Sequence, residues 1–275
     1  MENANCIVIF DNTALAKVVY ASEGITDALG YTVDEVVGMD GYQLAMVSDM
    51  ERIYRVHVPC VMDETMATVI FYRMRHKNGQ PVHVHSTVHY CFDLLVVVVF
   101  VETPGKTSTR SKIHTSSADD VYTINSNRSI SRSVSLVGTW RSSETQIRPL
   151  LRSSARWVDN QVAHKQEPRF CLILNRYSDQ LPIIFVSHLA ESLIYTSNSD
   201  LVGRSLFSFV APEDLDIVRM QIGIAKSSDM VVRLRFHWIV DHTNQTSLPV
   251  ETVISCCDDG IVMVARMACV LAEAS

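Results

Sequence analysis

Three histidines that alternate along one strand-like segment have the clearest potential for chemistry in this chain. His83, His85 and His89 lie at even spacing between Pro81 and Tyr90, so a β-strand would place all three on one face. Imidazoles at this spacing could share a metal ion, but no CxxC pair or other metal-binding motif accompanies them. The pattern therefore predicts a polar outer face of a sheet, and no metal site.

Catalytic motifs are missing from the sequence. It contains no phosphate-binding loop, dinucleotide-binding fingerprint, nucleophile elbow or HExxH pair, so we do not expect an enzyme. The seven cysteines are odd in number and lie mostly in apolar segments, which indicates reduced, buried thiols and a cytoplasmic or nuclear protein. The N-terminus resembles no signal peptide, and the longest apolar run is too short to span a bilayer.

Two serines match a simple modification pattern. Ser131 follows Arg128 by three residues, and Ser135 follows Arg132 in the same way. Basophilic kinases favour this spacing, and a phosphate there would lie among other arginines. Ser131 and Ser135 are therefore candidate phosphorylation sites.

The elements that must position these residues occur twice in the chain. An offset of 165 residues pairs Tyr20 with Phe185, and Gly38 with Gly203. The same offset pairs Leu29 with Ile194, Val36 with Leu201 and Asp49 with Asp214. A repeat of this length corresponds to a whole small domain, so the chain is predicted to contain two related domains.

Each repeat has the same predicted order of elements: two strands, a group of short helices, one longer helix and three strands joined by hairpins. Asn78-Gly79 and Asp258-Asp259-Gly260 supply hairpin turns. Pro59 is expected to kink or end the longer helix of the first repeat. The predicted fold class is α+β, with a five-stranded antiparallel sheet and short helices on one face in each domain.

The segment between the repeats differs in composition. Residues 104–148 are rich in Ser and Arg with few large hydrophobic residues, which predicts a disordered linker. Apolar residues at helical spacing predict a flanking helix over 149–166. The first domain is then assigned to residues 1–103 and the second to 167–271.

The repeats resemble PAS domains. The family pattern has an apolar strand, a short helix, a Leu/Val-Gly step and an acidic start to the connecting helix. Both halves match it: the Leu/Val-Gly step occurs at 36–38 (VVG) and 201–203 (LVG), and the acidic helix start occurs at 48–50 (SDM) and 212–215 (PEDL). A tandem pair with a basic, Ser-rich insert is similar to fungal PAS proteins and to the PAS regions of white-collar-like and clock-type transcription regulators. The resemblance implies sensing, protein dimerisation or both.

Two functions follow from the resemblance. The first is a signal-transduction module that forms a homodimer, or a heterodimer with another PAS protein, through the sheet face and regulates transcription. The alternative is a sensor that holds a small apolar molecule in a pocket lined by Ile53 and His57 in the first repeat and by Val218 and Gln221 in the second.

The sequence also indicates which cofactors the two repeats could hold. No cofactor is required, and flavin adduct chemistry is not expected, because neither repeat has the cysteine of the photoreceptor motif at 38–44 or 203–207. Haem is the less favoured alternative, with His57 as the axial ligand. The acidic repeats predict no direct contact with nucleic acid, and we expect no contact with a membrane.

Overall fold

Two large β-sheets and six α-helices form the α+β fold within the part of the chain that the structure describes. This computed structural model describes residues 4–102, 117–125, 127, 129–134, 157–158, 161–162, 166–228, 230–241, 243–244 and 246–268. None of the described helices has the length and hydropathy that crossing a bilayer requires.

The first repeat forms a seven-stranded sheet in the order β2-β1-β5-β4-β3-β6-β7. Its strands are β1 (Asn5–Asp11), β2 (Val18–Ala21), β3 (Ala67–Arg75), β4 (Pro81–Cys91), β5 (Leu94–Val101), β6 (Asp120–Ile124) and β7 (Ile130–Val134). Helices α1 (Gly24–Leu29), α2 (Val33–Val36) and α3 (Val47–Met62) and a 3-10 turn (Gly41–Leu44) follow β2 in the chain.

The second repeat has the same connectivity. Its five strands have the order β11-β10-β14-β13-β12, which repeats the order β2-β1-β5-β4-β3 of the first sheet. The strands are β10 (Arg169–Leu174), β11 (Ile183–Val186), β12 (Val232–Asp241), β13 (Thr246–Cys257) and β14 (Gly260–Met267). The helices are α4 (Leu189–Ile194), α5 (Asn198–Leu201) and α6 (Leu215–Ser227), with 3-10 turns at Leu206–Phe209 and Pro212–Asp214.

Local chemistry explains why the two repeats fold alike. Gly38 and Gly203 follow α2 and α5 with φ values of +87° and +85°, in the left-handed region that glycine enters without strain. The hydroxyls of Ser22 and Ser187 each accept a hydrogen bond at 2.8 Å, from the amides of Ile7 and Cys171. These features fix the path of the short helices across each sheet.

The two sheets pack face to face. One apolar cluster lies between sheet and helices in each repeat, and a third cluster fills the space between the sheets. This third cluster takes Val69, Phe71 and Val98 from the first sheet and Val253 and Val264 from the second. The faces that either sheet alone would leave open therefore cover one another within one chain.

An approximate two-fold symmetry relates the repeats. Strand β4 contacts β10 and β14, and its counterpart β13 contacts β1 and β5 in the same way. The chain thus has the arrangement of a domain dimer within a single polypeptide.

The predicted disordered linker at 104–148 is wrong for its central part. Strands β6 and β7 form a hairpin that extends the first sheet, with β6 parallel to β3. β-branched and aromatic residues in the sequence DVYTI favour a strand, and the high Ser and Arg content around it concealed this signal. The ends of the predicted linker lie outside the described residues.

The predicted flanking helix at 149–166 is also wrong where it can be checked. Residues Trp157–Val158 (β8) and Gln161–Val162 (β9) pair as a short antiparallel hairpin. The sequence places Asp159 and Asn160 between them, and these residue types favour tight turns. Most of the remaining positions of this predicted helix lie outside the described residues.

We predicted that Pro59 kinks or ends the helix α3, and the predicted end is wrong, because α3 continues to Met62. Val56, Cys60 and Val61 are buried on its inner side. Their packing on the sheet stabilises the last turn despite the hydrogen bond that proline cannot donate.

Candidate functional site

A cavity of about 80 Å³ lies between the first sheet and helix α3. Most of its wall is apolar, with side chains such as Ile70, Val88 and Leu95. His57 and three tyrosines, Tyr42, Tyr72 and Tyr90, complete the wall. The cavity therefore combines an apolar body with a few polar groups, as small-molecule sites commonly do.

Helix α3 places both predicted pocket residues of the first repeat in the cavity wall. Ile53 and His57 lie one turn apart on the helix and both line the cavity. The two predicted pocket residues of the second repeat lie elsewhere. Val218 is fully buried in the core of that repeat, and Gln221 is only half-buried.

The imidazole of His57 lies among tyrosine rings. Its centroid is 6.2 Å from that of Tyr42 in an edge-to-face arrangement, and 6.2 Å from that of Tyr90. Burial lowers the pKa of His57 to about 4, so the ring is neutral at physiological pH. A neutral imidazole suits a neutral ligand.

The tyrosines supply hydrogen-bond donors. The hydroxyl of Tyr72 lies 3.1 Å from the hydroxyl of Ser86, whereas the buried hydroxyl of Tyr42 has no hydrogen-bond partner among the described residues. Burial raises the pKa of Tyr42 well above its usual range and that of Tyr72 to about 12. Both phenols therefore stay protonated, and Tyr42 can donate to a ligand.

The size of the cavity limits what it can hold. A cavity of roughly 150 Å³ binds benzene or xenon in another protein, so this one accepts a smaller guest unless its walls move. A haem or a flavin is several times larger than benzene, so the cavity would have to widen greatly to hold either one beside His57. No group of three His, Cys, Asp or Glu residues that could hold a metal occurs in the described part of the chain.

The corresponding space in the second repeat is filled by Trp238. Bridges between Ala45 and Met74, and between Val210 and Trp238, show that Met74 and Trp238 are counterparts. The Trp238 indole is fully buried and stacks on Phe209 at 5.2 Å between centroids. Met74 lines the cavity instead, and its thinner side chain leaves the space open.

The remaining polar groups of the cavity also have apolar counterparts. Residues of β3 precede their counterparts in β12 by 164 residues, and residues from the 3-10 turn to α3 precede theirs by 165. Tyr42, Tyr72 and His57 thus correspond to Phe207, Phe236 and Ile222 respectively. The two repeats share a fold, but the first has a polar-tipped cavity where the second has an apolar core.

The histidine-bearing face of β4 is not the polar outer face that we predicted. His85 and His89 are 1% and 0% exposed and only His83 is exposed, because the second sheet covers much of this face. His89 Nε2 lies 2.6 Å from Ser255 Oγ of the second repeat, and His85 stacks on Phe100 at 4.8 Å. Burial lowers the pKa of His85 to about 4 and that of His89 to about 3.

Charged side chains are buried at one edge of the interface. Arg169 binds Glu167 at 2.7 Å, Glu167 binds Arg266 at 3.1 Å, and Arg266 binds Glu251 at 3.1 Å. Burial alone would raise the pKa of Glu167, but Arg169 and Arg266 lower it. The Glu167 carboxylate is therefore ionised, and it is held by charge-assisted hydrogen bonds from Arg169 and Arg266.

The insert joins this network through Asp119. Its carboxylate accepts hydrogen bonds from the amides of Met66 and Ala67, at 2.7 and 3.0 Å. Arg233 of the second repeat donates to the same carboxylate at 2.7 Å. One residue of the predicted linker thus contacts both repeats.

The structure describes only one of the two candidate phosphorylation sites. Ser131 is exposed on β7, the edge strand of the first sheet, where it pairs with Thr123. The guanidinium of Arg132 binds Asp120. Ser135 lies outside the described residues.

Sequence reasoning missed several residues of the site. Tyr42 and Tyr90 gave no signal, because tyrosines in apolar segments are ordinary core residues. Arg169, Arg233 and Glu251 interrupt apolar strands, and these charges could have indicated a buried ionic interface. Composition alone does not distinguish that from a solvent-exposed strand edge.

Comparison with known proteins identifies the fold of the first repeat. Residues 18–95, from β2 to the start of β5, match the family model of the PAS fold. Along these residues the first repeat therefore matches the PAS fold. The second repeat has the same order of strands and helices. No curated protein matches this chain.

Three solved structures are among those with similarity to parts of the chain. A PAS-B variant of Drosophila melanogaster Cycle with bound glycerol is 12% identical, with a TM-score of 0.30, covering 35% of this chain and 95% of that one. A Stigmatella aurantiaca bacterial phytochrome PAS-GAF-PHY mutant is 15% identical, with a TM-score of 0.32, covering 39% and 20%. An RsLOV variant is 17% identical, with a TM-score of 0.34, covering 40% and 65%.

Proposed function

We propose that this chain is a sensor and signal-transduction protein whose first repeat binds a small, mostly apolar molecule. The observation that carries the proposal is the contrast between the repeats. The first keeps a cavity beside Met74 with polar tips on its wall, and the second fills the same space with Trp238. The same fold thus has a filled core beside Trp238 in the second repeat and an open cavity beside Met74 in the first.

The cavity defines the chemistry of the ligand. Its apolar wall favours a small hydrocarbon-like body, and the Tyr42 hydroxyl favours one hydrogen-bond acceptor on it. A charged ligand is excluded by this proposal, because the neutral His57 supplies no compensating charge. The protein needs no catalytic group for this role.

Native mass spectrometry of the full chain tests the proposal. We expect the wild-type chain to carry a small retained mass and the variant Met74→Trp, which copies the second repeat, to lose it. Met220→Trp adds the same indole on the exposed side of α6 and is the matched control. Equal retention in Met74→Trp would contradict the proposal, as would a bare wild-type chain that also takes up no xenon.

A second candidate function is association with another copy of this chain or with another PAS protein, with an output in transcription. The sheet faces are buried between the repeats, so such a contact would use another surface. On α6, Ile217, Met220 and Ile224 are 40%, 53% and 37% exposed and lie on one side of the helix. Two of the corresponding residues of α3 are Arg52 and Arg55.

The oligomeric state distinguishes this second function. If α6 is the contact, Met220→Glu lowers the stoichiometry seen by native mass spectrometry, and Arg55→Glu at the matched position of α3 does not. A chain that is monomeric with and without candidate PAS partners would exclude the second function. A specific complex should bury about 800 Å² on each partner.

A further inference from the structure

Tyr90 belongs to the cavity and to the interface between the repeats at the same time. Its side chain lines the cavity, and its ring centroid lies 6.2 Å from that of His57. Its backbone carbonyl accepts a hydrogen bond from Arg169 Nη1 at 2.9 Å. Arg169 is the first residue of β10 in the second repeat. A single residue therefore links the cavity wall to the other repeat.

Arg169 also contacts the connection that follows helix α3, the other wall of the cavity. It donates to the carbonyl of Thr65 at 2.7 Å and to that of Glu64 at 2.5 Å, in the connection between α3 and β3. Helix α3 carries Ile53 and His57, the residues on the far side of the cavity. One guanidinium thus bridges the end of the helical wall and the end of the sheet wall.

The guanidinium of Arg169 is held firmly from the second repeat. Its side chain is 1% exposed, and Glu167 binds it through two hydrogen bonds at 2.7 and 3.0 Å. Arg266 binds the same Glu167 from within the second repeat. Because the bonds are buried and fork-shaped, a small shift of their partners changes their geometry and strength.

We propose that Arg169 is the element that couples occupancy of the cavity to the second repeat. A guest that spreads α3 from the sheet, or turns the Tyr90 ring, moves carbonyls that Arg169 holds together. The movement reaches β10 directly, because Arg169 begins that strand. This inference rests on the proposed ligand-binding function for its physiological input, but the coupling itself is a property of the fold.

Amide hydrogen exchange of the full chain tests the coupling without requiring a ligand. The variant Met74→Trp fills the cavity permanently. If its indole is too large for the site, Ala45→Val, which copies Val210 of the second repeat, fills the cavity with a smaller side chain. Either variant should change exchange in β10 by about threefold or more. Arg169→Lys keeps the charge but cannot form the fork, so the change in β10 should disappear in the double variant.

Arg266→Lys is the matched control, because it alters the same charge network without touching the carbonyls that Arg169 binds. The response of β10 should persist in this background. If Arg169→Lys fails to fold, Glu167→Gln loosens the anchor of Arg169 and should weaken the response. An unchanged β10 on filling the cavity, or an equal response with and without Arg169, would overturn the inference.

A xenon-binding experiment distinguishes failure of this inference from failure of the proposed function. Xenon is the probe, and its binding is measured by its own NMR shift before exchange is followed. A chain that binds xenon but shows no response in β10 contradicts the coupling alone. A chain that excludes xenon, yet responds to Met74→Trp through Arg169, supports the coupling and contradicts the ligand-binding function.

Discussion

The carboxylate of Asp119 and the guanidinium of Arg233 form an ion pair at 2.7 Å with both side chains almost fully buried. Asp119 comes from the insert and Arg233 from the second repeat, and the same carboxylate accepts hydrogen bonds from the amides of Met66 and Ala67 at the start of β3. The pair therefore closes the interface between the two PAS-like repeats at the edge where the inserted hairpin joins the first sheet.

Removing the charge of Asp119 should destabilise the interface. Asp119→Asn leaves Arg233 as a buried cation with a weaker partner, and we expect a loss of about 3 kcal/mol in the free energy of unfolding. Chemical denaturation measures this change. Glu35→Gln breaks the exposed pair between Glu35 and Lys77 and should have little effect. An equal effect of the two substitutions would contradict the role of Asp119.

Acid should weaken the interface through its buried histidines. The pKa of His85 is about 4 in the folded chain and about 6.5 when unfolded, so the unfolded state binds more protons between these values. Stability therefore falls as pH drops through this window. The contribution of His85 between pH 7 and pH 5 is about 2 kcal/mol.

The substitution His85→Phe isolates this contribution. It removes the titrating group from beside Phe100 and should flatten the pH dependence of unfolding by about that amount. His83→Phe on the exposed part of the same strand should leave the pH dependence unchanged. A pH dependence that is the same in both variants would show that His85 does not titrate as described.

The hydroxyl of Tyr42 should cost stability in the absence of a ligand. It is buried without a hydrogen-bond partner among the described residues, so Tyr42→Phe should leave the free energy of unfolding unchanged or raise it by about 1 kcal/mol. The substitution copies Phe207 of the second repeat. A marked loss of stability, measured on ligand-free protein, would mean that the hydroxyl is already bonded.

Removing the Trp238 indole should open a cavity in the second repeat like the one that the first repeat has. Trp238→Met removes the indole that packs on Phe209 and Phe170 and should cost about 3 kcal/mol through the cavity it leaves. Calorimetry measures the loss, and xenon binding should appear at a second site. A variant of unchanged stability would show that the indole does not fill the core.

The fold was predictable because both repeats have strong local signals. Apolar strands, hairpin turns such as Asn78-Gly79 and the repeated glycines at 38 and 203 each favour one local structure. The hairpin of β6 and β7 was missed, because its strands are short and their neighbours are polar. Its stability comes from pairing with β3, a tertiary contact that composition does not encode.

The site was predictable only in part. Helical spacing placed Ile53 and His57 on the inner side of α3, where both line the cavity. The same reasoning placed Val218 of α6 in a second pocket, but Trp238 of the following strand, β12, fills that space. It also gave His85 and His89 a solvent-exposed face, because a period of two predicts which residues share a face but not what covers it.

Structure determination of the crystallised chain under xenon pressure would show whether the first repeat has an accessible cavity. We expect one xenon atom in the first repeat, between His57 and the rings of Tyr42 and Tyr90, and none beside Trp238. The same site should be empty in Met74→Trp. A wild-type cavity that stays free of xenon, or a xenon atom that remains bound at this site in the Met74→Trp variant, would contradict the claim that the first repeat keeps an accessible ligand cavity.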